Sequence, residues 1–255
     1  MDHRPLGSTS IECSRLGWGA LKIGRNQNVK FPDGFELPSE EASIEIVHRM
    51  LDLGISVIDT APSYGLSEDR LGKAIEHRRE QVILSTKVGE IFRDGQSTYD
   101  FSSTAAVKSL QESLRRLRTD HVDVLWIHSD GNDRTILDDT QYIETMESFK
   151  DAGMTRAIGF SGKTADGNRA AMSWADALMI EYHLEDRSQE AVIAEAAQRG
   201  VGVVIKKALR SGHLSGEDAL TFLYRTSPVA DAITSVVVGS LNPTRMQANM
   251  KLVSG

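Results

Sequence analysis

Residues 122–160 read VDVLWIHSDGNDRTILDDTQYIETMESFKDAGMTRAIGF, one complete strand–helix–strand unit. A near-continuous apolar strand, Val122 to His128, runs into a polar loop and then a segment with helical spacing of apolar residues. Gly153 follows as a left-handed helix cap, and a second strand-like run extends from Met154 to Phe160. Strands apolar on both faces belong to a parallel sheet covered by helices. The unit recurs at Ser56 to Thr60, Val82 to Thr86, Ala177 to Glu181, Val201 to Ile205 and Ala232 to Val238, and Arg15 to Ala20 supplies an eighth strand. Ile44, Val47, His48 and Leu51 form one helical stripe, while Val107, Leu110, Leu114 and Leu117 form another. Ser39 and Ser103 read as helix starts, and Gly54 and Gly200 as further C-caps.

Eight strands alternating with helices predict right-handed crossovers and an α/β fold. An open doubly wound sheet shares the local pattern, but the count of eight favours a closed (β/α)8 TIM barrel. Arg4 to Ser14 reads as an N-terminal β-hairpin around Gly7-Ser8, placed to close one end of the barrel. Asn242-Pro243 reads as an N-cap and first turn of a short C-terminal extra helix. No linker or charge block divides the chain, so a single domain over residues 1–255 is expected.

The 36 acidic residues outnumber the 29 Lys and Arg, for a net charge of −7. That sign argues against general nucleic-acid binding. Cys13 is the only cysteine, which excludes an intrachain disulfide and a cysteine metal cluster, and no metal is expected. Met1 leads into Asp2-His3-Arg4 without the apolar stretch of a secretory signal. No apolar run approaches the ~20 residues that span a bilayer. The expectation is a cytoplasmic protein without a membrane partner, a monomer or small homo-oligomer.

In such a barrel, chemistry sits where strands end. Asp59 ends the second strand, Lys87 follows the third, His128 ends the fourth, and Tyr64 lies five residues past Asp59. A tyrosine hydroxyl with a pKa of about 10 exchanges protons poorly at neutral pH, and a nearby ammonium lowers that value. A carboxylate would hold the lysine, and a histidine would orient a carbonyl oxygen. Together they make a general acid for an oxygen that gains negative charge. Singly, each residue has a bland reading as a loop cap, a solvated lysine, a core histidine or a loop tyrosine. Jointly, at consecutive strand ends, they do not.

Gly54 to Gly72, GISVIDTAPSYGLSEDRLG, resembles the signature of the aldo-keto reductase family, with Asp59 and Tyr64 in its catalytic positions. Ser85 to Lys87 (STK) and Trp126 to Gly131 (WIHSDG) resemble its lysine and histidine motifs, and KKALRSGHL from Lys206 resembles a bacterial branch. The resemblance runs from the Arg4 hairpin to Asn249. It implies NAD(P)H-dependent reduction of a small-molecule aldehyde or ketone to an alcohol, with Tyr64 as general acid alongside Asp59, Lys87 and His128.

It also implies a cofactor site. Gly239 to Asn249 (GSLNPTRMQAN) resembles the segment that holds the adenosine half. Ser240 and Arg245 would meet a 2′-phosphate and Asn249 the adenine, which favours NADPH, with NADH as the alternative. Gly239 and Ala248 depart from a lysine and a glutamate common there. Gly19, Ala20 and Leu21 would line the nicotinamide pocket, with Trp18 in the barrel core. Ser161 keeps a family donor, whereas Gly162 replaces an asparagine, Glu181 a glutamine, and Lys206-Lys207 an aromatic residue. Lys206 and Lys207 are assigned to the cofactor, Lys207 at the pyrophosphate. The chain stops soon after its last helix, so an open substrate pocket is expected, walled by loops Lys22 to Pro38, Gly89 to Phe101 and Ser129 to Arg134. The departures keep a second reading alive, a nicotinamide-binding sensor or interaction subunit with little turnover. A metal-dependent barrel hydrolase would need more clustered His and carboxylate ligands than Asp59 and His128.

Overall fold

Eight parallel strands hydrogen-bond around a closed ring in a computed structural model that describes residues 2–32 and 34–253. Met1, Ser254 and Gly255, and Asp33 in the loop expected from Lys22 to Pro38, lie outside the described residues. A hairpin of β1 (His3–Pro5) and β2 (Glu12–Ser14) precedes the ring. The ring then takes β3 (Leu16–Gly19), β4 (Val57–Asp59) and β5 (Ile83–Val88) in order. A second hairpin, β6 (Glu90–Arg93) and β7 (Gln96–Tyr99), interrupts it. The ring resumes with β8 (Val122–His128), β9 (Thr155–Ser161), β10 (Ala177–Glu181), β11 (Gly202–Lys206) and β12 (Ser235–Val238). Closure comes from β12 pairing with β3, Val236 opposite Leu16 and Val238 opposite Trp18. The choice between barrel and open sheet thus falls to the barrel.

The expected strands lie within a few residues of these bounds. The last is the shortest relative to expectation, because Ala230–Ala232 is a single helical turn. Lys87 lies inside β5 rather than after it, since pairing with β8 continues through Val88. Ser39 caps helix Glu40–Asp52, accepting from the Ala42 amide at 3.2 Å. The next expected cap is displaced by one residue: Ser102 accepts from the Ala105 amide, and Ser103 is the first helical residue. Val107 is exposed, so the stripe on helix Ser103–Leu117 is carried by Leu110, Leu114 and Leu117. Asn242 caps helix Pro243–Val253 by accepting from the Thr244 amide at 2.9 Å. Gly54, Gly153 and Gly200 all take positive φ.

Two apolar layers hold the ring. Outward-facing strand residues such as Leu84, Leu125 and Ile180 pack with the helices in the larger core. Inside the ring, Val57, Val124, Trp126, Met179 and Val204 meet Leu6, Ile11 and Cys13 of the first hairpin, which plugs that end. Gly159 makes room there, since a Cβ would lie 2.4 Å from the Trp126 ring. Burial pushes the Cys13 thiol up to about 12, so it is a packing residue. The plugged end leaves the opposite mouth, where the strands finish, as the open face. No helix among the described residues is long and apolar enough to cross a membrane.

Candidate active site

Asp59, at the last position of β4, and Lys87, near the end of β5, are brought together by parallel pairing of neighbouring strands. Lys87 Nζ donates to both Asp59 carboxylate oxygens at 2.7 and 2.6 Å, and to the Thr60 carbonyl at 2.8 Å. Ser85 Oγ donates a further 2.7 Å bond to Asp59. Both charges are nearly sealed from solvent, with Lys87 2% and Asp59 4% exposed. Burial opposes the charge on Lys87, but Asp59 and Tyr64 outweigh it and hold the ammonium above its ordinary pKa.

Tyr64 stands on the short turn Pro62–Tyr64 that follows β4, with the Lys87 ammonium 4.9 Å from its ring centre. Here the balance differs from the sequence expectation. Burial raises the Tyr64 pKa, and the opposing pull of Lys87 does not overcome it. The sequence carries the ammonium but not the depth of the site, so the desolvation was not readable. A raised value keeps the proton on the phenol at neutral pH.

His128 closes the group at the end of β8. Its Nδ1 lies 2.8 Å from Glu90 Oε2, out of line for a well-formed hydrogen bond. Burial lowers the His128 pKa despite Glu90, with Lys87 and Lys206 adding to the fall, so the imidazole is neutral at pH 7. Burial would raise the Glu90 pKa, but His128, Ser97 and Ser63 hold it down to about 2. Glu90 belongs to the β6–β7 hairpin and carries no sequence signal of its role. All four expected residues, with Glu90, line one cleft of about 1170 Å³ at the barrel mouth.

The cleft continues past β9, β10 and β11. Lys206 Nζ donates to Ser161 Oγ at 2.8 Å and to the Gly162 carbonyl at 2.9 Å. Burial, then Lys207, brings the Lys206 pKa down to about 7 against the pull of Glu181. The Lys207 ammonium is hydrogen-bonded to the Glu181 carboxylate. These two expected cofactor residues therefore engage each other in this state. Gly162 is explained by packing: a Cβ would lie 2.3 Å from Asn168 Oδ1 and 2.7 Å from the Phe160 ring. Gly19 and Leu21 line the cleft, whereas Ala20 is buried in the core beside them. Trp18 is fully buried and donates to the Ser240 carbonyl at 2.8 Å.

At the far end, Ser240, Arg245 and Asn249 share the cleft wall. The Ser240 hydroxyl is turned into its own loop, accepting from the Asn242 amide at 3.1 Å. Arg245 is exposed on the first turn of its helix and makes no ion pair among the described residues. Lys22 lies near enough for Arg245, after burial, to lower its pKa. An exposed arginine on the first turn of a helix suits a dinucleotide phosphate, whereas Lys22 is held 4.0 Å over the Phe31 ring. The Lys22 to Pro38 loop supplies wall residues including Lys22, Arg25 and Phe31, but of the other two expected walls only Glu90 reaches the cleft. Arg25, Lys22 and Lys163 were not singled out from sequence; loop cations have no periodic or motif signature to mark them.

The sequence profile of the aldo/keto reductase family matches residues 15–228. The chain is 32% identical over 225 residues to the aldo-keto reductase YhdN of Bacillus subtilis, covering 85% of this chain and 65% of that protein. It is 31% identical over 229 residues to L-galactose dehydrogenase of Arabidopsis thaliana, covering 84% and 67%. Thus the matched part spans about two thirds of the length of these relatives. A crystal structure of a putative aldo-keto reductase from Pseudomonas aeruginosa superposes with a TM-score of 0.89 at 36% identity, over 99% of this chain and 94% of that one. The holo form of an aldo-keto reductase from Bacillus halodurans gives a TM-score of 0.85 at 26% identity, over 100% and 91%.

Proposed function

The chain belongs to the aldo/keto reductase family of oxidoreductases, and from that premise we propose that it reduces an aldehyde or ketone to the alcohol with NADPH, Tyr64 giving the proton. The observation that carries this reading is the sealed Asp59–Lys87 pair set against Tyr64 in the cleft. A bound nicotinamide cofactor supplies the hydride that reaches the carbonyl carbon. The chain's own task is to hold the carbonyl oxygen and protonate it. Tyr64 keeps its proton at neutral pH and releases it to an oxygen that becomes basic as charge develops. Lys87 then stabilises the phenolate, and Asp59 fixes Lys87 in place. Neutral His128, its Nδ1 facing Glu90, lines the cleft beside that oxygen and helps to orient it.

NADPH is favoured over NADH because Arg245 stands exposed and unpaired among the described residues beside Ser240 and Asn249. The test is oxidation of NADPH and of NADH, followed at ~340 nm with activated aldehydes. Turnover of at least one aldehyde is expected, and binding of cofactor without turnover of any would overthrow the reductase reading. Arg245→Ala should weaken NADPH binding about tenfold, the scale of one charge-assisted contact, and leave NADH nearly unchanged. Equal losses for both would mean that Arg245 does not read the 2′-phosphate.

A further inference from the structure

Arg25 is a fixed cation beside the candidate proton donor, and its charge is not spent on a carboxylate ion pair among the described residues. Its guanidinium donates from Nε to the Gln27 carbonyl at 2.9 Å and from Nη2 to the Asn28 carbonyl at 3.1 Å. Nη1 donates to the carbonyl of Ser63, the residue before Tyr64, at 3.0 Å. The guanidinium also stacks on Phe92, 3.5 Å from the ring centre. Phe92 belongs to the β6–β7 hairpin, which Asn28 joins by donating to the Gly95 carbonyl. Arg25 is thus the point where the first loop, the Tyr64 turn and the second hairpin meet.

Three of its five N–H groups are used, all on backbone carbonyls, which leaves one on each terminal nitrogen. The carboxylate that supports its charge, Glu90, already accepts from Ser97 and faces His128. The wall as a whole is cationic. Asp59, Glu90 and Glu217 are its only carboxylates among the described residues, against Lys22, Arg25, Lys30, Lys163, Lys206 and Arg245 among its cations. In a chain of net charge −7, such a reversal focuses an attractive field on anions. Arg245 accounts for part of it at the Asn249 end, whereas Arg25 lies with Tyr64 and Glu90.

We propose that Arg25 anchors a carboxylate on the substrate, so that the preferred substrates are aldehydes or ketones that also carry a carboxylate. The inference rests on the carbonyl-reductase reading and narrows its substrate class. A guanidinium held by three carbonyls and one aromatic face loses little freedom on binding, and it keeps one N–H on each terminal nitrogen to offer an oxyanion.

The test compares 4-carboxybenzaldehyde with the near-isosteric, neutral 4-nitrobenzaldehyde in wild type, Arg25→Lys and Arg25→Met. The ratio of kcat/KM for the carboxylate over the nitro substrate should fall about ten- to hundredfold in Arg25→Met, through KM of the carboxylate and beyond any loss that freeing the Ser63 carbonyl causes in both. Arg25→Lys should recover part of it. A merely structural role would move both aldehydes together, and an unchanged or equally reduced pair overturns the proposal. Cofactor binding, read by fluorescence titration, should stay within about twofold in Arg25→Met; a larger loss would reassign Arg25 to the cofactor. Calorimetric binding of 4-(hydroxymethyl)benzoate against 4-nitrobenzyl alcohol reads the same contrast without turnover. No turnover of either aldehyde, with that binding contrast intact, would break the reductase reading and leave the anion site standing.

Discussion

Two groups of side chains share the mouth of the barrel, one on β4, β5 and β8 and one on β9, β10 and β11, and they are built on opposite electrostatic plans. In the first, the charges are held in place: Lys87 pairs with Asp59, and Glu90 accepts from Ser97 at 2.6 Å beside neutral His128. In the second, Lys206 rests on a hydroxyl and a carbonyl, while the nearby carboxylate of Glu181 is taken by Lys207. A balanced cluster keeps its geometry whatever binds, which suits proton transfer. An unbalanced one leaves interactions to be completed by a ligand. One half of the cleft is preorganised, and the other waits for its occupant.

The strongest way to break this contrast is Tyr64→Phe. It removes the hydroxyl and leaves the Asp59–Lys87 pair intact, so reduction should fall by about 10²–10⁴-fold while cofactor binding is nearly unchanged. Steady-state rates and a fluorescence titration check both halves, and unaltered turnover would remove Tyr64 from the mechanism. Next in size is Asp59→Asn, which strands a buried ammonium. We expect a loss of about 3–5 kcal/mol in unfolding free energy by urea denaturation, because a charge without its partner remains in a site 2% exposed. A loss below about 1 kcal/mol would mean that Lys87 finds another partner or sheds its proton.

The first cluster was largely legible in the sequence and the second was not, for physical reasons. Asp59, Lys87 and His128 stand at ends of apolar strands, and parallel pairing brings consecutive strand ends together, so the barrel itself predicts their convergence. The sign of the Tyr64 shift was lost because desolvation depends on what covers a side chain. Glu90 was lost because β7 is exposed throughout and shows no apolar alternation to announce a hairpin. The pairing of Glu181 with Lys207 had a partial signal, since β10 and β11 are consecutive and Glu181 aligns with Lys206. Gly162 had none: Asn168 and Phe160 fill the space that a side chain would need.

The smallest expected effect sharpens the contrast most directly, because it compares one lysine from each cluster by pH. Lys206 is held near 7 by burial and by Lys207, Lys87 and Lys163, against the pull of Glu181. Its folded pKa lies below its unfolded value, so between about pH 7 and about pH 10 the unfolded chain binds more protons. Stability attributable to Lys206 must therefore rise with pH across that window. Below it the buried charge weighs fully against folding. Lys206→Met should then exceed wild type in stability most clearly at about pH 6, with the gap narrowing steadily toward about pH 10, read from urea denaturation at each pH. Lys87 behaves oppositely, because Asp59 and Tyr64 raise its pKa and any loss of its contribution begins only above the ordinary lysine range. The difference between wild type and the double variant Asp59→Asn/Lys87→Met, which leaves neither charge behind, should stay level over the same interval. A level difference for Lys206→Met as well would mean that its amine stays charged in the folded chain, and the two clusters would then differ in partners but not in protonation.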